Sequence, residues 1–304
     1  MNDSYPNEDA WTSAIARRLS RRDDVVVGIG DDAAVVRCGA WDQVYTSDAV
    51  VEGVHFLPEV EPQRIGRKMV GRLLSDLAAM GATPDHILLN IVVPSNCPAR
   101  RMNEIYDGAE RLAVAFGASI IGGDTIAGPV LALHGFASGR VPPGRAILRS
   151  RASAGDLLYV TGRLGGSRTG KHLDFIPRVR EGVWLREGGW AAAMMDVSDG
   201  LARDLPRLCA SSGVGAIVDA MAVSSEVDLD HALHDGEDYE LLFAVRPEQD
   251  AAFVPAWKAY SALPCTRMGV MEGAPGAVFI RHDNGRTETM LRAGYDHLGG
   301  SKLA

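Results

Sequence analysis

The alternation of apolar and polar positions divides the chain into short apolar runs and a few longer amphipathic segments. Apolar residues recur at helical spacing from about Pro62 to Ala82, and residues 100–116 form a second amphipathic pattern that ends at Gly117. A third helix is predicted near residues 200–212. Apolar runs of four to eight residues are instead typical of strands. They predict strands at residues 25–30, 44–47, 86–94, 117–124, 129–141, 156–162, 213–219, 239–245, 266–271 and 277–280.

The segment 141–156 separates two halves of the chain. It is rich in Pro, Gly, Ser and Arg, a composition typical of a boundary. We therefore predict one domain at residues 1–140 and a second at 141–304, in which residues 163–189 are irregular. Strands and helices recur in both halves without a strict β-α-β rhythm, which favours an α+β fold.

Composition narrows the function classes. A length of 304 residues agrees with two domains, and a formal net charge of −8 argues against nucleic acid as the partner. The four cysteines are widely spaced and form no C-x-x-C pair, which indicates reduced thiols. No apolar stretch reaches about 18 residues, so no membrane span is predicted. The polar, acidic start of the chain argues against a signal peptide, and we expect a cytoplasmic protein.

Aspartates follow directly after many of the apolar runs. A rigid scaffold presents chemistry at such positions, and several carboxylates can converge only around a cation. Oxygen ligands suit Mg²⁺ or Mn²⁺, which usually accompany substrate phosphates. We also expected Ser75-Asp76 and Ser198-Asp199 each to lie where a helical turn begins. The aspartates at these positions are Asp31, Asp32, Asp48, Asp76, Asp124, Asp196 and Asp199.

Two glycine-rich segments imitate nucleotide-binding motifs. Residues 28–33 loosely match G-x-G-x-x-A, but Asp31 and Asp32 would repel a pyrophosphate there. Residues 165–172 nearly match the P-loop, but His172 replaces the hydroxyl that ligates Mg²⁺ and Pro177 follows closely. We interpret neither as a nucleotide site, and we expect Lys171 to be a solvated cation or an anion contact.

Six motifs occur in a fixed order along the chain. They are GDDAA from Gly30, YTSDAVVEGVHF at residues 45–56, LSDLAAMGA at 74–82, GGDT at 122–125, DVSDGL at 196–201 and GEDYELLF at 236–243. Together they resemble the thiamine-monophosphate kinase family. That family belongs to a superfamily with aminoimidazole ribonucleotide synthetase and selenophosphate synthetase. The likeness returns weakly at GYDH, residues 294–297.

The resemblance implies a fold and a reaction. The fold is an N-terminal α/β domain with a mixed sheet that pairs in a homodimer, followed by a C-terminal α+β domain. The implied enzyme is an ATP-dependent phosphotransferase that uses several Mg²⁺ ions to convert thiamine monophosphate to thiamine diphosphate. The acceptor is already an anion, so we expect no acid or base residue; positioning and charge neutralisation should carry catalysis.

The resemblance also implies site residues at matching positions. The implied metal ligands are Asp32, Thr46, Ser47, Asp48, Asp76, Asp124, Asp196 and Asp199. The implied ATP-binding residues are Gly123, Asp124, Arg149 and Ser198, and the implied substrate-binding residues are His55 and Glu237. Each has a structural alternative: Asp76 and Asp199 could be helix caps, Asp124 a turn residue and His55 a core histidine.

Departures from the family pattern bear on the acceptor. Arg292 stands where the family places an aromatic ring, and the segment between residues 161 and 196 is shorter than usual. An alternative function is therefore a superfamily relative that uses the same ATP–metal core on another acceptor. A nucleotide-binding subunit without turnover is a third reading, which the complete set of aspartates disfavours.

Overall fold

The computed structural model describes residues 7–291. The position of Arg292 and the GYDH segment at 294–297 lie outside the described residues. Within residues 7–291, no helix is long and apolar enough to cross a membrane.

The first half of the chain forms a seven-stranded mixed sheet. Its strands are β1 Val25–Val27, β2 Ala34–Cys38, β3 Trp41–Val51, β4 Thr83–Val93, β5 Ser119–Gly122, β6 Thr125–Ala127 and β7 Ala132–Val141. The spatial order is β1-β2-β3-β7-β4-β5, and β6 also pairs with β4. Strands β5 and β6 run parallel to β4, whereas the other pairs are antiparallel. Of the predicted site residues, Gly123 and Asp124 follow the C-terminal end of β5, whereas Thr46, Ser47 and Asp48 lie in the middle of β3.

Two helices cover one face of this sheet. Helix α1, Glu8–Arg18, precedes the sheet, while α2, Pro62–Ala79, and α3, Ala99–Ala115, pack against each other on it. Glycines allow that close crossing, because a Cβ at Gly66 would lie 1.8 Å from the carbonyl oxygen of Ile105. A Cβ at Gly108 would lie 1.9 Å from the carbonyl oxygen of Gln63. The position of α2 is therefore set by backbone contact.

The second half forms another seven-stranded mixed sheet. Its strands are β8 Leu157–Thr161, β9 Ala193–Asp196, β10 Gly215–Asp219, β11 Leu241–Val245, β12 Cys265–Glu272, β13 Val278–Arg281 and β14 Thr287–Thr289. The order is β14-β13-β10-β12-β8-β11-β9, and β10 with β13 is the parallel pair. Its helices are α4 Lys171–Asp174, α5 Val179–Gly188, α6 Leu201–Ser212, α7 Leu229–His234 and α8 Asp250–Tyr260.

Helix α2 belongs to the packing of both halves. It contacts β3 and β7 of the first sheet and also α5 and β9 of the second half. One hydrophobic cluster accordingly runs from Leu73 and Leu77 to Met194 and Phe243, and a second cluster lies between the second sheet and α6. Twelve of the eighteen residues of α2 are buried, so this helix is an interior element.

The predicted elements and the observed ones agree best where the apolar pattern is long. Helices α2 and α3 and the strands β4, β7, β8 and β10–β13 lie where the pattern predicts them. Helix α1 was not predicted, and the segment expected to be irregular contains α4 and α5. Between β7 and β8, residues 142–156 contain a 3-10 helix at Arg149–Arg151.

Candidate active site

Three carboxylates from distant parts of the chain converge between the two halves. Asp32 precedes β2, Asp76 lies in α2 and Asp196 ends β9. One carboxylate oxygen from each lies within 4.8 Å of the other two. The sequence predicted all three as metal ligands, and the fold brings them together.

The electrostatics of this carboxylate cluster are unfavourable without a cation. Burial, together with the charge of Asp196, raises the pKa of Asp76 well above its usual range. Burial, together with the charge of Asp32, does the same to the pKa of Asp196. The hydroxyls of Thr46 and Ser75 donate hydrogen bonds to Asp76 and Asp196 respectively. Hydroxyl donors add no charge, so this oxygen-rich, electron-rich set fits a hard divalent cation.

The expected position of Asp76 at the start of a helical turn is wrong. Asp76 lies in the last turn of α2, where the helix dipole disfavours a negative charge. The expectation holds better for Asp199, which stands two residues before the first residue of α6. The carboxylate of Asp76 is therefore held in place against the dipole, which a bound cation would offset.

Arg149 lies beside the carboxylate cluster. Its Nε and Nη2 atoms donate to the two oxygens of Asp32 at 3.0 and 2.5 Å. Asp31 accepts from the backbone N–H of Arg149 at 3.3 Å, and its Oδ1 lies 3.9 Å from the Arg149 Nε. Asp31 thus positions the segment around Arg149.

The three consecutive residues Thr46, Ser47 and Asp48 do not share one face of β3. Thr46 is buried against Asp76, and Asp48 faces the same side and contacts Arg72. Ser47 is exposed and pairs with Phe136 on the opposite face of the sheet, because side chains alternate along a strand. The structure therefore brings Thr46 and Asp48 to the site and leaves the side chain of Ser47 on the outer surface.

A second cluster of charges adjoins the first. Arg72 donates to Asp48 through Nε and Nη2, the latter at 2.8 Å, and its Nη1 donates to Tyr239 at 2.8 Å and to Glu237 at 3.3 Å. Lys68 is fully buried, and its Nζ lies 2.7 Å from Oε1 of Glu237. Burial lowers the pKa of Lys68 to about 8, although Glu237 opposes that shift.

His55 and His172 complete this second cluster. The Lys68 Nζ donates to the carbonyl oxygen of His55 at 2.7 Å and lies 2.6 Å from His172 Nδ1. His55 Nδ1 accepts from the backbone N–H of Val51 at 3.1 Å, and burial with the charge of Arg72 lowers its pKa to about 4. Neutral His55 is thus a hydrogen-bonding group near neutral pH rather than a cation.

The predicted substrate residue Glu237 has an unusual backbone. Glu237 and Tyr239 have φ angles of 52° and 53°, in the left-handed region that side chains rarely adopt. Their N–H groups donate to the carbonyl oxygens of Ser198 and Val197. Burial tends to raise the pKa of Glu237, but the hydrogen bond from His172 and the charges of Lys68 and Arg72 lower it below its usual range.

Ser198 and Asp199 lie in a turn that Asp204 organises. The N–H groups of both residues donate to Oδ2 of Asp204, at 3.0 and 2.8 Å. Arg207 donates to Asp199 at 2.5 Å and to Asp9 of α1 at 2.8 Å. Asp199 is thus paired with a guanidinium, outside the group of three oxygens that converge within 4.8 Å.

Gly123 and Asp124 lie at the edge of the first sheet. Asp124 is exposed, its Oδ1 accepts from the N–H of Thr125 at 2.8 Å, and it does not belong to the converging group. A Cβ at Gly123 would lie 1.9 Å from the carbonyl oxygen of Leu89, so glycine is required there. The structure supports the turn alternative for Asp124.

The two motifs that imitate nucleotide sites are used for other purposes. The segment 28–33 leads into the strand β2 and not into a helix. Lys171 is directed inward: its Nζ donates to the carbonyl oxygen of Arg163 and to Oδ1 of Asp238, the latter at 2.9 Å. Of the two expected roles, Lys171 therefore has that of an anion contact and not that of a solvated cation: its bond to Asp238 joins its own loop to the segment that holds Glu237.

Four residues of the site were not predicted from the sequence. They are Lys68, Arg72, His172 and Tyr239. A signal for two of them existed, because Lys68, Arg72 and Asp76 are spaced by four residues, which places them on one face of a helix.

Comparison with known proteins decides the family. Residues 30–141 match the model of the AIR synthase related protein N-terminal domain, and residues 177–281 match that of its C-terminal domain. The thiamine-monophosphate kinase of Rhodopirellula baltica is 33% identical and is aligned over 95% of this chain and 97% of its own length. That of Escherichia coli is 35% identical over 94% of this chain and 97% of its own.

The chain belongs to the thiamine-monophosphate kinase family. A solved structure described as AaThiL complexed with AMPPCP and TMP has a TM-score of 0.83 and 26% identity, and the match covers 96% of this chain and 97% of that one. The fold of a thiamine-monophosphate kinase is thereby confirmed as two α/β domains, each with a seven-stranded mixed sheet. The predicted resemblance and the predicted ATP-dependent kinase class are also confirmed.

Proposed function

We propose that this chain transfers the γ-phosphate of ATP to thiamine monophosphate and releases thiamine diphosphate and ADP. The observation that carries this proposal is the link between two unlike clusters, the carboxylate cluster of Asp32, Asp76 and Asp196 and the cationic cluster of Lys68 and Arg72. Asp48 provides the link, because it pairs with Arg72 and its negative charge acts on Asp76. A site that joins two anionic phosphates needs both kinds of charge.

The carboxylate cluster would hold Mg²⁺. Asp32, Asp76 and Asp196 would provide charged ligands, Thr46 a neutral oxygen, and Asp48 and Asp199 further carboxylates once they leave their arginines. The ions would neutralise charge on the phosphates and orient them. We retain Ser47 and Asp124 as proposed ligands on the family resemblance, although the Ser47 side chain faces the outer surface and Asp124 lies outside the converging group.

The chain's own residues would bind and orient the two substrates. Arg149 offers a planar guanidinium to the nucleotide, and Ser198 stands in the turn before α6. Gly123 and Asp124 would contribute to the same nucleotide site. On the acceptor side, neutral His55 and ionised Glu237 would contact thiamine monophosphate. No proton has to be removed from a phosphate monoester, and accordingly we assign no acid or base.

We propose that the first sheet mediates a homodimer. Its outer face, away from α2 and α3, exposes large apolar side chains, and Tyr45 stacks on Phe136 there at 5.6 Å between ring centroids. Exposed apolar patches of this kind mark protein–protein contacts. The large apolar residues of this face with at least 39% exposure include Trp41, Leu88, Ile126 and Phe136.

The dimer is tested by mass measurement in solution. Light scattering should give twice the chain mass for the unaltered protein. The double variant Leu88→Asp, Phe136→Asp should give a monomer with the same circular dichroism. A monomeric unaltered chain at micromolar concentration would exclude the homodimer.

We also propose the division into a nucleotide- and metal-binding domain at residues 1–140 and a domain that completes the site at 141–304. We also propose a cytoplasmic location. Cys38, Cys97 and Cys265 are free thiols, which supports a reducing compartment.

The experiment that tests the function is a turnover assay. ADP release from Mg²⁺-ATP is measured with and without thiamine monophosphate, and thiamine diphosphate is detected by mass. Equal amounts of ADP and thiamine diphosphate are expected. ADP release that does not depend on thiamine monophosphate, or no ADP release at all, would indicate that the ATP- and metal-binding site acts on another acceptor.

A further inference from the structure

One face of α2 carries a stripe of three charged residues. Lys68, Arg72 and Asp76 are four residues apart, so successive side chains are about 6 Å apart along the helix axis. Lys68 contacts Glu237 at one end of the stripe, and Asp76 joins the carboxylate cluster at the other. Arg72 stands between the acceptor side and the metal side.

Arg72 makes its strongest contacts with Asp48, which is also a proposed metal ligand. Its planar fork, Nε and Nη2, is directed at both oxygens of Asp48. Planar two-point contact is the geometry in which a guanidinium also recognises phosphate. If Asp48 turns to a metal ion, that fork becomes available at the border of the two clusters.

Glu237 does not depend on Arg72 for its charge balance. Lys68 lies 2.7 Å from Oε1 and His172 lies 3.2 Å from Oε2, whereas Arg72 lies 3.3 Å from Oε1. Lys68 is also fixed by the carbonyl oxygen of His55. Lys68 can therefore hold Glu237 while Arg72 contacts a ligand.

Arg72 remains reachable although it is largely enclosed. Its side chain is 13% exposed, and those of its partners Asp48 and Glu237 are 23% and 28% exposed. The Tyr239 hydroxyl accepts from Nη1, and the guanidinium lies 5.8 Å from the Tyr239 ring centroid. These two contacts keep the fork aligned when Asp48 leaves.

We infer that Arg72 binds the phosphate group of the acceptor, exchanging the Asp48 carboxylate for that phosphate when a metal ion takes Asp48. This inference rests on the proposed function for the identity of the acceptor. It assigns the recognition of a phosphate monoester to Arg72 and leaves Lys68 as the residue that positions Glu237. Thiamine, which lacks the phosphate, would gain no affinity from Arg72.

The test compares two ligands that differ by the phosphate. Isothermal titration with Mg²⁺-ADP present gives the dissociation constants of thiamine monophosphate and of thiamine. Arg72→Met should weaken thiamine monophosphate by about 10- to 100-fold, the range for hydrogen bonds to charged groups, and change thiamine by less than about 3-fold. Arg72→Lys should fall between, because it keeps the charge and loses the fork.

A control and an independent probe keep the test decisive. Arg64→Met removes another arginine of α2, which pairs with Asp174, and should leave both constants unchanged. Circular dichroism confirms that each variant is folded. Equal weakening of both ligands, or no weakening, would overturn the inference and leave Arg72 as a structural partner of Asp48.

Failure of the proposed function gives a different result. In that case the unaltered chain forms no thiamine diphosphate, and inorganic phosphate is titrated instead in the presence of Mg²⁺-ADP. Arg72→Met should still weaken phosphate by about 10-fold or more. Unchanged phosphate affinity would overturn the inference independently of the acceptor.

Discussion

The backbone N–H of Glu237 donates a hydrogen bond to the carbonyl oxygen of Ser198 at 2.7 Å. This bond joins a proposed acceptor-binding residue to a proposed nucleotide-binding residue. It also holds Glu237 at a φ of 52°, a conformation that costs about 1–3 kcal/mol and persists where the surroundings enforce it. The two proposed substrate sites are therefore joined through the strained backbone of Glu237.

Glu237→Gln should affect the acceptor more than the nucleotide. The substitution keeps the side-chain shape and removes the charge that Lys68 balances. We expect KM for thiamine monophosphate to rise about 10-fold, with KM for ATP within about 2-fold. Steady-state kinetics with each substrate varied in turn measures both constants. A larger rise in KM for ATP than in KM for thiamine monophosphate would assign Glu237 to the nucleotide site.

Asp196→Asn should stabilise the metal-free fold and strongly reduce turnover. Burial and the charge of Asp32 make an ionised Asp196 unfavourable, whereas an amide oxygen can still accept from Ser75. We expect a higher unfolding midpoint without Mg²⁺, loss of the rise that Mg²⁺ causes in the unaltered protein, and a fall in kcat of about 100-fold or more. Thermal unfolding with and without Mg²⁺ gives the first two results.

The control for this variant is Asp85→Asn. Asp85 pairs with Arg140 on the first sheet and does not belong to the converging group. It should keep the Mg²⁺ response and the activity. An Asp196→Asn protein that still responds to Mg²⁺ would contradict the proposed metal site.

Gly66→Ala should destabilise the protein through the crossing of α2 and α3. A Cβ at this position would lie 1.8 Å from the carbonyl oxygen of Ile105, and a backbone atom cannot move aside as a side chain can. We expect a loss of about 3 kcal/mol in the free energy of unfolding, measured by urea denaturation. Gly273→Ala is the matched control, because nothing lies within 4 Å of its added Cβ. Equal stability of the two variants would contradict the crossing.

Asp238 should make stability fall as the pH rises from about 4 to 6. Burial raises its pKa from 3.8 to about 6 against the opposing charge of Lys171. The folded protein therefore holds a proton that the unfolded chain has lost, and this contribution is complete below pH 3.8 and disappears through pH 6. Its size is about 2–3 kcal/mol. Asp238→Asn should flatten the pH dependence of the unfolding midpoint in this window; an unchanged slope would assign it to other groups.

The sequence predicted the elements whose apolar pattern is long. Helix α2 begins at Pro62 as expected and ends three residues before the expected Ala82. Helix α5 was missed because its ten residues follow a segment with prolines and glycines, and α1 because it buries no residue completely. Short elements that depend on tertiary contacts leave a weak periodic signal.

The site was predicted in part for a similar reason. Aspartates after apolar runs identified Asp32, Asp76 and Asp196, because strand and helix ends of a compact domain meet between the layers. The sequence did not show that the Ser47 side chain faces away from the site, because the orientation of β3 depends on its pairing with β7. Lys68 was overlooked because a fully buried lysine is rare unless it is paired, and its partner Glu237 is 169 positions away in the chain.

The close packing of α2 has a consequence for how the protein loses activity when it is heated. The helix carries Lys68, Arg72 and Asp76. It is also the element through which the first hydrophobic cluster extends from the first sheet into the second half of the chain. A segment of this kind cannot open by itself, because its separation exposes the interior of both halves. Inactivation by heat and global unfolding should therefore be one event, with no inactive but folded form between them.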